Sequence, residues 1–103
     1  RQLIAPGWLA RAGAPPPAPA APGADSYGTH IWRIGVAGTL SCPPGESLPA
    51  DALALLGHWG QLAAILPSRR AVVVRLGWAA PEGAFDRCAF IAAIDRALAA
   101  SGE

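Results

Sequence analysis

The chain has 103 residues, of which 15% are charged and 52% hydrophobic, and a net charge of +1. That length suits one domain with a modest core rather than two, and the near-neutral balance gives no electrostatic reason to expect nucleic acid or an anionic membrane as partner. No apolar run approaches the roughly 18 residues that span a bilayer, and the amino end lacks the charged-then-apolar layout of a secretory signal.

In chain order, Gly7-Trp8-Leu9-Ala10-Arg11 reads as a short helical end, and residues 14–26 as a Pro/Ala-rich loop whose Ala14 to Gly23 portion is a polyproline-like spacer. Trp32 and Ile34 alternate with Ile31 and Arg33, which predicts a strand from about Ile31 to Ala37. Pro43, Pro44, Gly45 and Pro49 make Thr39 to Ala50 a loop, and in Asp51 to Leu56 helix and strand compete. Gln61 to Leu66, the break Pro67-Ser68-Arg69-Arg70, and Ala71 to Leu76 predict an antiparallel hairpin over 61–76. Phe85 to Ala100 predicts a helix, with Arg87, Phe90, Ile91, Ile94 and Leu98 along one stripe and Ser101-Gly102 as its stop. The expected fold class is α+β: an antiparallel β-sheet of about three strands with the C-terminal helix packed on one face.

Both hairpin strands are apolar at nearly every position rather than every second one, so both faces of the sheet call for cover. One convincing helix can cover one face. The other would expose several Val, Ile and Leu side chains, each contributing about 1.5–3 kcal/mol when buried. The chain therefore reads as incomplete by itself. It has no Met, Lys or Asn, and the expectation is that it is processed or cut from a longer product. The excess of Ala, Gly, Pro and Arg is attributed to a GC-rich coding sequence.

Cys42 and Cys88 are the only cysteines. They permit one disulfide, but the simpler reading makes Cys88 a small buried hydrophobe on the helix and Cys42 a loop thiol. Without Cys-x-x-Cys or His-x-x-x-His spacing, metal chemistry has no foothold, and no cofactor is expected.

The order of elements, together with Tyr27-Gly28-x-x-x-Trp32, Gly57-His58-Trp59-Gly60-Gln61, Pro67-Ser68-Arg69 and Val72-Val73-Val74-Arg75-Leu76-Gly77, resembles the carboxy-terminal part of serine hydrolases of the class C β-lactamase and penicillin-binding-protein type. It is most similar to the branch of 6-aminohexanoate-dimer hydrolases and related esterases. The resemblance covers nearly the whole chain, and its specific part is Gly57 to Gly77. It implies that residues 1–103 are the C-terminal portion of a single β-lactamase-like domain, completing a five-stranded sheet in the parent protein. In such enzymes the nucleophile is the Ser of a Ser-x-x-Lys motif, because a hydroxyl needs an adjacent base. A Tyr of a second motif completes the acid-base work. Both motifs lie upstream of the region covered here, and a chain with no Lys, no Asn and one Tyr contains neither.

The resemblance implies that this part of the domain supplies a strand edge lining the active site, with the motif Lys or His, then Thr or Ser, then Gly, and often another Gly three residues on. Two registers fit. In the preferred one, Leu55-Leu56-Gly57 takes the motif's place with Gly60 as the second glycine, and the backbone N–H of His58 supplies an oxyanion-hole donor. Such a donor contributes roughly 2.7–4 kcal/mol in the transition state. Gly57 would let a substrate carbonyl approach the main chain. Leu55 stands where the family often has a cation, which tilts the expected substrate from β-lactams towards neutral amides or esters. In the other register His58-Trp59-Gly60 is the motif and the His58 side chain faces the site as a polar or cationic element.

Either way Gly57, His58 and Gly60 are the candidate catalytic positions, and Trp59, Gln61 and Trp32 the candidate substrate-binding ones. Read without the family, His58 is a hydrogen-bonded structural residue, and both Trp side chains are partly buried core. The resemblance makes Tyr27 a positioning residue, while Arg69-Arg70 reads as a solvated turn and His30 has no role.

The expected function is thus a fragment of an amide- or ester-cleaving serine hydrolase working through an acyl-enzyme. Its partners would be the missing N-terminal part of the domain and a small-molecule substrate, with no nucleic acid and no membrane. The alternative is a non-catalytic binding or scaffold module whose exposed sheet face pairs with another chain. The expected location is cytoplasmic, although the superfamily has exported members too.

Overall fold

The computed structural model describes residues 1–14, 31–35, 48–81 and 83–102. Tyr27, His30 and Cys42, discussed above, lie outside them. The elements are α1 (Trp8–Ala12), β1 (Trp32–Arg33), β2 (Leu53–Leu56), β3 (Leu62–Leu66), β4 (Ala71–Arg75) and α2 (Arg87–Ala100). The strands form one antiparallel sheet in the order β1-β2-β3-β4, each beside its sequence neighbour.

The hairpin expected over 61–76 is β3 and β4, in register from Leu62 opposite Arg75 to Leu66 opposite Ala71. Its break is a single 3-10 turn, Pro67–Arg69, closed by Arg70 in the left-handed region at φ 51. The undecided run 51–56 is the strand β2, held on one side by β3. That adds a fourth strand to the three expected.

β1 is shorter than the predicted Ile31 to Ala37. The amides of both Ile34 and Gly35 turn to the carbonyl of Ala52, at 3.1 and 3.2 Å, which takes the chain out of the ladder after Arg33. Val36 and Ala37 lie outside the described residues.

Alternation sorts the side chains. Ala54, Leu62, Ala64 and Leu66 point to one face and form the core with Ile34, Ala52 and Ile91 of α2. Trp32, Leu56, Val73, Phe85, Phe90 and Leu98 pack around it. α2 covers this face, and its Asp95 carboxylate accepts from Arg69 Nε at 2.7 Å, tying the helix to the β3–β4 turn. The bond holds the Arg69 guanidinium above its ordinary pKa.

α2 begins two residues later than Phe85 because Asp86 caps it, its Oδ1 accepting from the Ala89 amide at 2.9 Å. Asp86→Ala is expected to lower stability by about 1 kcal/mol, read as a shift of the urea midpoint. Asp86→Ser should recover most of the loss, since a hydroxyl caps the same amide.

The second face carries Leu55, Val72 and Val74, which are 50%, 65% and 58% exposed. α1 reaches this face only at its β1–β2 edge. There Leu9, Ala10 and Gly13 line a cavity of about 210 Å³ with Arg33, Asp51 and Leu53. Among the described residues, the expectation of one covered face and one that exposes Leu and Val side chains therefore holds. No helix among the described residues is long and apolar enough to cross a membrane.

Cys88 is buried at 4% exposure, as expected of a helix-face hydrophobe, but it is disulfide-bonded rather than a free thiol.

Candidate functional site

Gly57 to Gln61 is the turn joining β2 to β3. The Gly57 amide donates to the Gln61 carbonyl at 2.8 Å and the Gln61 amide returns to the His58 carbonyl at 3.3 Å, closing the loop on itself. Between them His58–Gly60 makes one 3-10 turn, with Trp59 left-handed at φ 53, ψ 47. A bulky side chain holds that conformation only where its surroundings impose it.

The surroundings do so through the turn's carbonyls. Arg87 Nη2 donates to the Gly57 carbonyl and Gln61 Nε2 to that of His58. The Ala79 amide donates to the Trp59 carbonyl at 3.1 Å, and Arg75 Nη1 to that of Gly60 at 3.3 Å. Four consecutive carbonyls are thus fixed from β4, from the segment after it, from the first residue of α2 and from the turn itself. Arg75 also lies over the Phe85 ring, 3.8 Å from its centroid, a cation–π contact that anchors the guanidinium.

The two glycines differ. Gly57 is extended, at φ −110 and ψ −178, which any residue adopts, although a Cβ there would approach Gln61 Cβ at 3.3 Å. Gly60 has φ 87, and a Cβ there would come within 3.0 Å of both Arg75 Nη1 and Phe85 Cβ. The backbone therefore requires glycine at Gly60.

Five of the six residues singled out from sequence, Gly57, His58, Trp59, Gly60 and Gln61, come together in this turn. Trp32 does not join them. It sits on β1 opposite Ala54, half-buried against the core. In the preferred register Leu55 and Leu56 lie on β2 and Gly57 opens the turn, whereas the alternative triplet 58–60 lies wholly within it. The segment is a turn at the end of the sheet rather than a continuous strand edge, because Trp59 and Gly60 both take positive φ and reverse the chain.

At the rim, the exposed His58 ring stacks on Trp59, with centroids 4.7 Å apart at 25°. Trp59 meets Trp78 edge-on at 4.1 Å and 77°. Trp78, Arg75 and Arg87 were missed as neighbours of the turn. The one signal was the placement of two Arg residues, Arg75 on the inward register of β4 and Arg87 on the apolar stripe of α2, where an unneutralised charge needs a specific acceptor. Among the described residues no group of three or more His, Cys, Asp or Glu could hold a metal ion.

Comparison with protein-family models, with curated proteins and with solved structures finds no match to this chain.

Proposed function

We propose that this chain forms one wall of a serine hydrolase site that cleaves neutral amide or ester bonds through an acyl-enzyme, the nucleophile belonging to another part of the protein. The observation that carries the reading is the fixed turn Gly57–Gln61. It is a tight loop whose four carbonyls from Gly57 to Gly60 are all hydrogen-bonded, three of them from outside the turn, with His58 at its exposed rim. Electrostatic catalysis needs such pre-fixed main chain, because a donor that need not reorganise as charge develops contributes most. In this mechanism a serine hydroxyl, deprotonated by an adjacent base, attacks the substrate carbonyl. The resulting oxyanion is met by the N–H after Gly57, and His58 borders the leaving group. The uncovered face of Leu55, Val72 and Val74 is where the rest of the domain would pack.

That same face favours a second reading, a non-catalytic module that pairs with another chain through it. The two separate on one experiment. The protein encoded by the whole reading frame is treated with an active-site fluorophosphonate and with p-nitrophenyl acetate. The hydrolase reading expects covalent labelling at a serine outside these 103 residues, and turnover that falls about 100-fold in a Gly60→Val variant, whose side chain would collide with Arg75 and Phe85 and so displace the turn that carries the His58 N–H. Absence of labelling, or a native product of this chain alone at 10.5 kDa, would leave the module reading. On compartment, the disulfide at Cys88 favours an oxidising location over the cytoplasm.

A further inference from the structure

Trp78 follows Gly77 just past the end of β4 and is 73% exposed. An exposed Trp is ordinarily free to move, but this one is braced. Its ring packs edge-on against Trp59, which in turn stacks on His58. The next residue, Ala79, is hydrogen-bonded to the Trp59 carbonyl at 3.1 Å. Trp59 is itself held left-handed by the bonds around its turn. The three rings form a rigid ledge whose ordering cost is met in folding, so a ligand that lands on it loses little further entropy.

The chemistry around the ledge is selective. Each of the two nearby guanidiniums already donates an N–H to the main chain, Arg87 to Gly57 and Arg75 to Gly60, and Arg75 also lies over the Phe85 ring. A ligand carboxylate would compete with those carbonyls for the same guanidiniums. Gln61, the side-chain amide of the same turn, donates one N–H to the His58 carbonyl. Beside the ring nitrogens of His58, Trp59 and Trp78, the ledge offers ring face and ring edge, which suit a flat, neutral group carrying an apolar ring.

We propose that the ledge of His58, Trp59 and Trp78 is the subsite for an aryl group of a neutral ester or amide, with Trp78 as the residue that sets this preference. The proposal rests on the hydrolase reading for its substrate class, but binding to the ledge is measurable without turnover.

The test is a titration of the 103-residue chain, following the indole N–H resonances of Trp59 and Trp78. Acetanilide carries ring and neutral amide, benzoate carries ring and charge, and acetamide carries the amide alone. Saturable shifts of both resonances with acetanilide are expected, with benzoate about tenfold weaker and acetamide producing none. Trp78→Ala should weaken acetanilide binding about tenfold without changing the unfolding midpoint, and Trp78→Phe should restore most of it. Equal binding of benzoate, no saturable shift with acetanilide, or parent-like binding by Trp78→Ala would overturn the proposal. Loss of serine labelling with ledge binding intact would instead overturn only the hydrolase reading.

Discussion

Gly35→Ala is expected to remove a large part of the chain's stability, about 3–5 kcal/mol. A Cβ built on Gly35 would lie 2.0 Å from the Pro49 carbonyl oxygen and 2.7 Å from both the carbonyl carbon and oxygen of Ala50. All three are backbone atoms, so no rotamer change can relieve the clash. The strand β1 would have to move away from the segment 49–52. That movement breaks the bonds from Ile34 and Gly35 to the Ala52 carbonyl, and loosens the turn in which the Ala52 amide holds Pro49 at 2.9 Å. A domain of this size has only about 5–10 kcal/mol to lose. Urea unfolding followed by tryptophan fluorescence reads the effect directly. Gly83→Ala is the control: its Cβ meets nothing within 4 Å, and the cost is confined to φ +88, about 1 kcal/mol. A Gly35→Ala protein as stable as that control would mean β1 does not lie against Pro49.

Ile91→Ala should destabilise by about 3–4 kcal/mol and Ile91→Val by about 1 kcal/mol. Ile91 is the fully buried side chain of α2, at 0% exposure, and shares the core with Leu66, also at 0%. Removing its branches leaves a cavity between helix and sheet that neither can close. Val72→Thr, on the opposite face at 65% exposure, should stay within about 0.5 kcal/mol of the parent protein. The contrast measures the asymmetry of the sheet. A large loss from Val72→Thr would show that the second face is covered in solution, and would identify it as a contact surface.

The hairpin, its four-residue break and the closing helix were legible in the sequence because each is written in the spacing of near neighbours. Pro67 at the head of the break and Gly102 after the helix act on residues within a turn of themselves, whereas the helix start, set by the Asp86 cap, lies two residues past the expected Phe85. The uncovered face was legible too, since it follows from counting apolar faces against helices. β2 was not. A short run of Ala and Leu with no alternation fits either state, and only the ladder to β3, Leu53 opposite Ile65 through Leu56 opposite Leu62, decides it.

For the candidate site, local sequence was enough to say which residues stand together, because Gly57 to Gln61 are consecutive and their glycines permit a tight reversal. The shape of that reversal, and the groups that hold it, emerge only once the chain is packed. Trp59 is left-handed because Arg75, fifteen residues on from Gly60, and Arg87, thirty residues on from Gly57, donate to the turn's carbonyls. Trp78 becomes part of a ledge because the chain after β4 folds back to the Trp59 carbonyl. Contacts at those separations depend on how the sheet and helix close around the core, and local spacing carries no record of that closure.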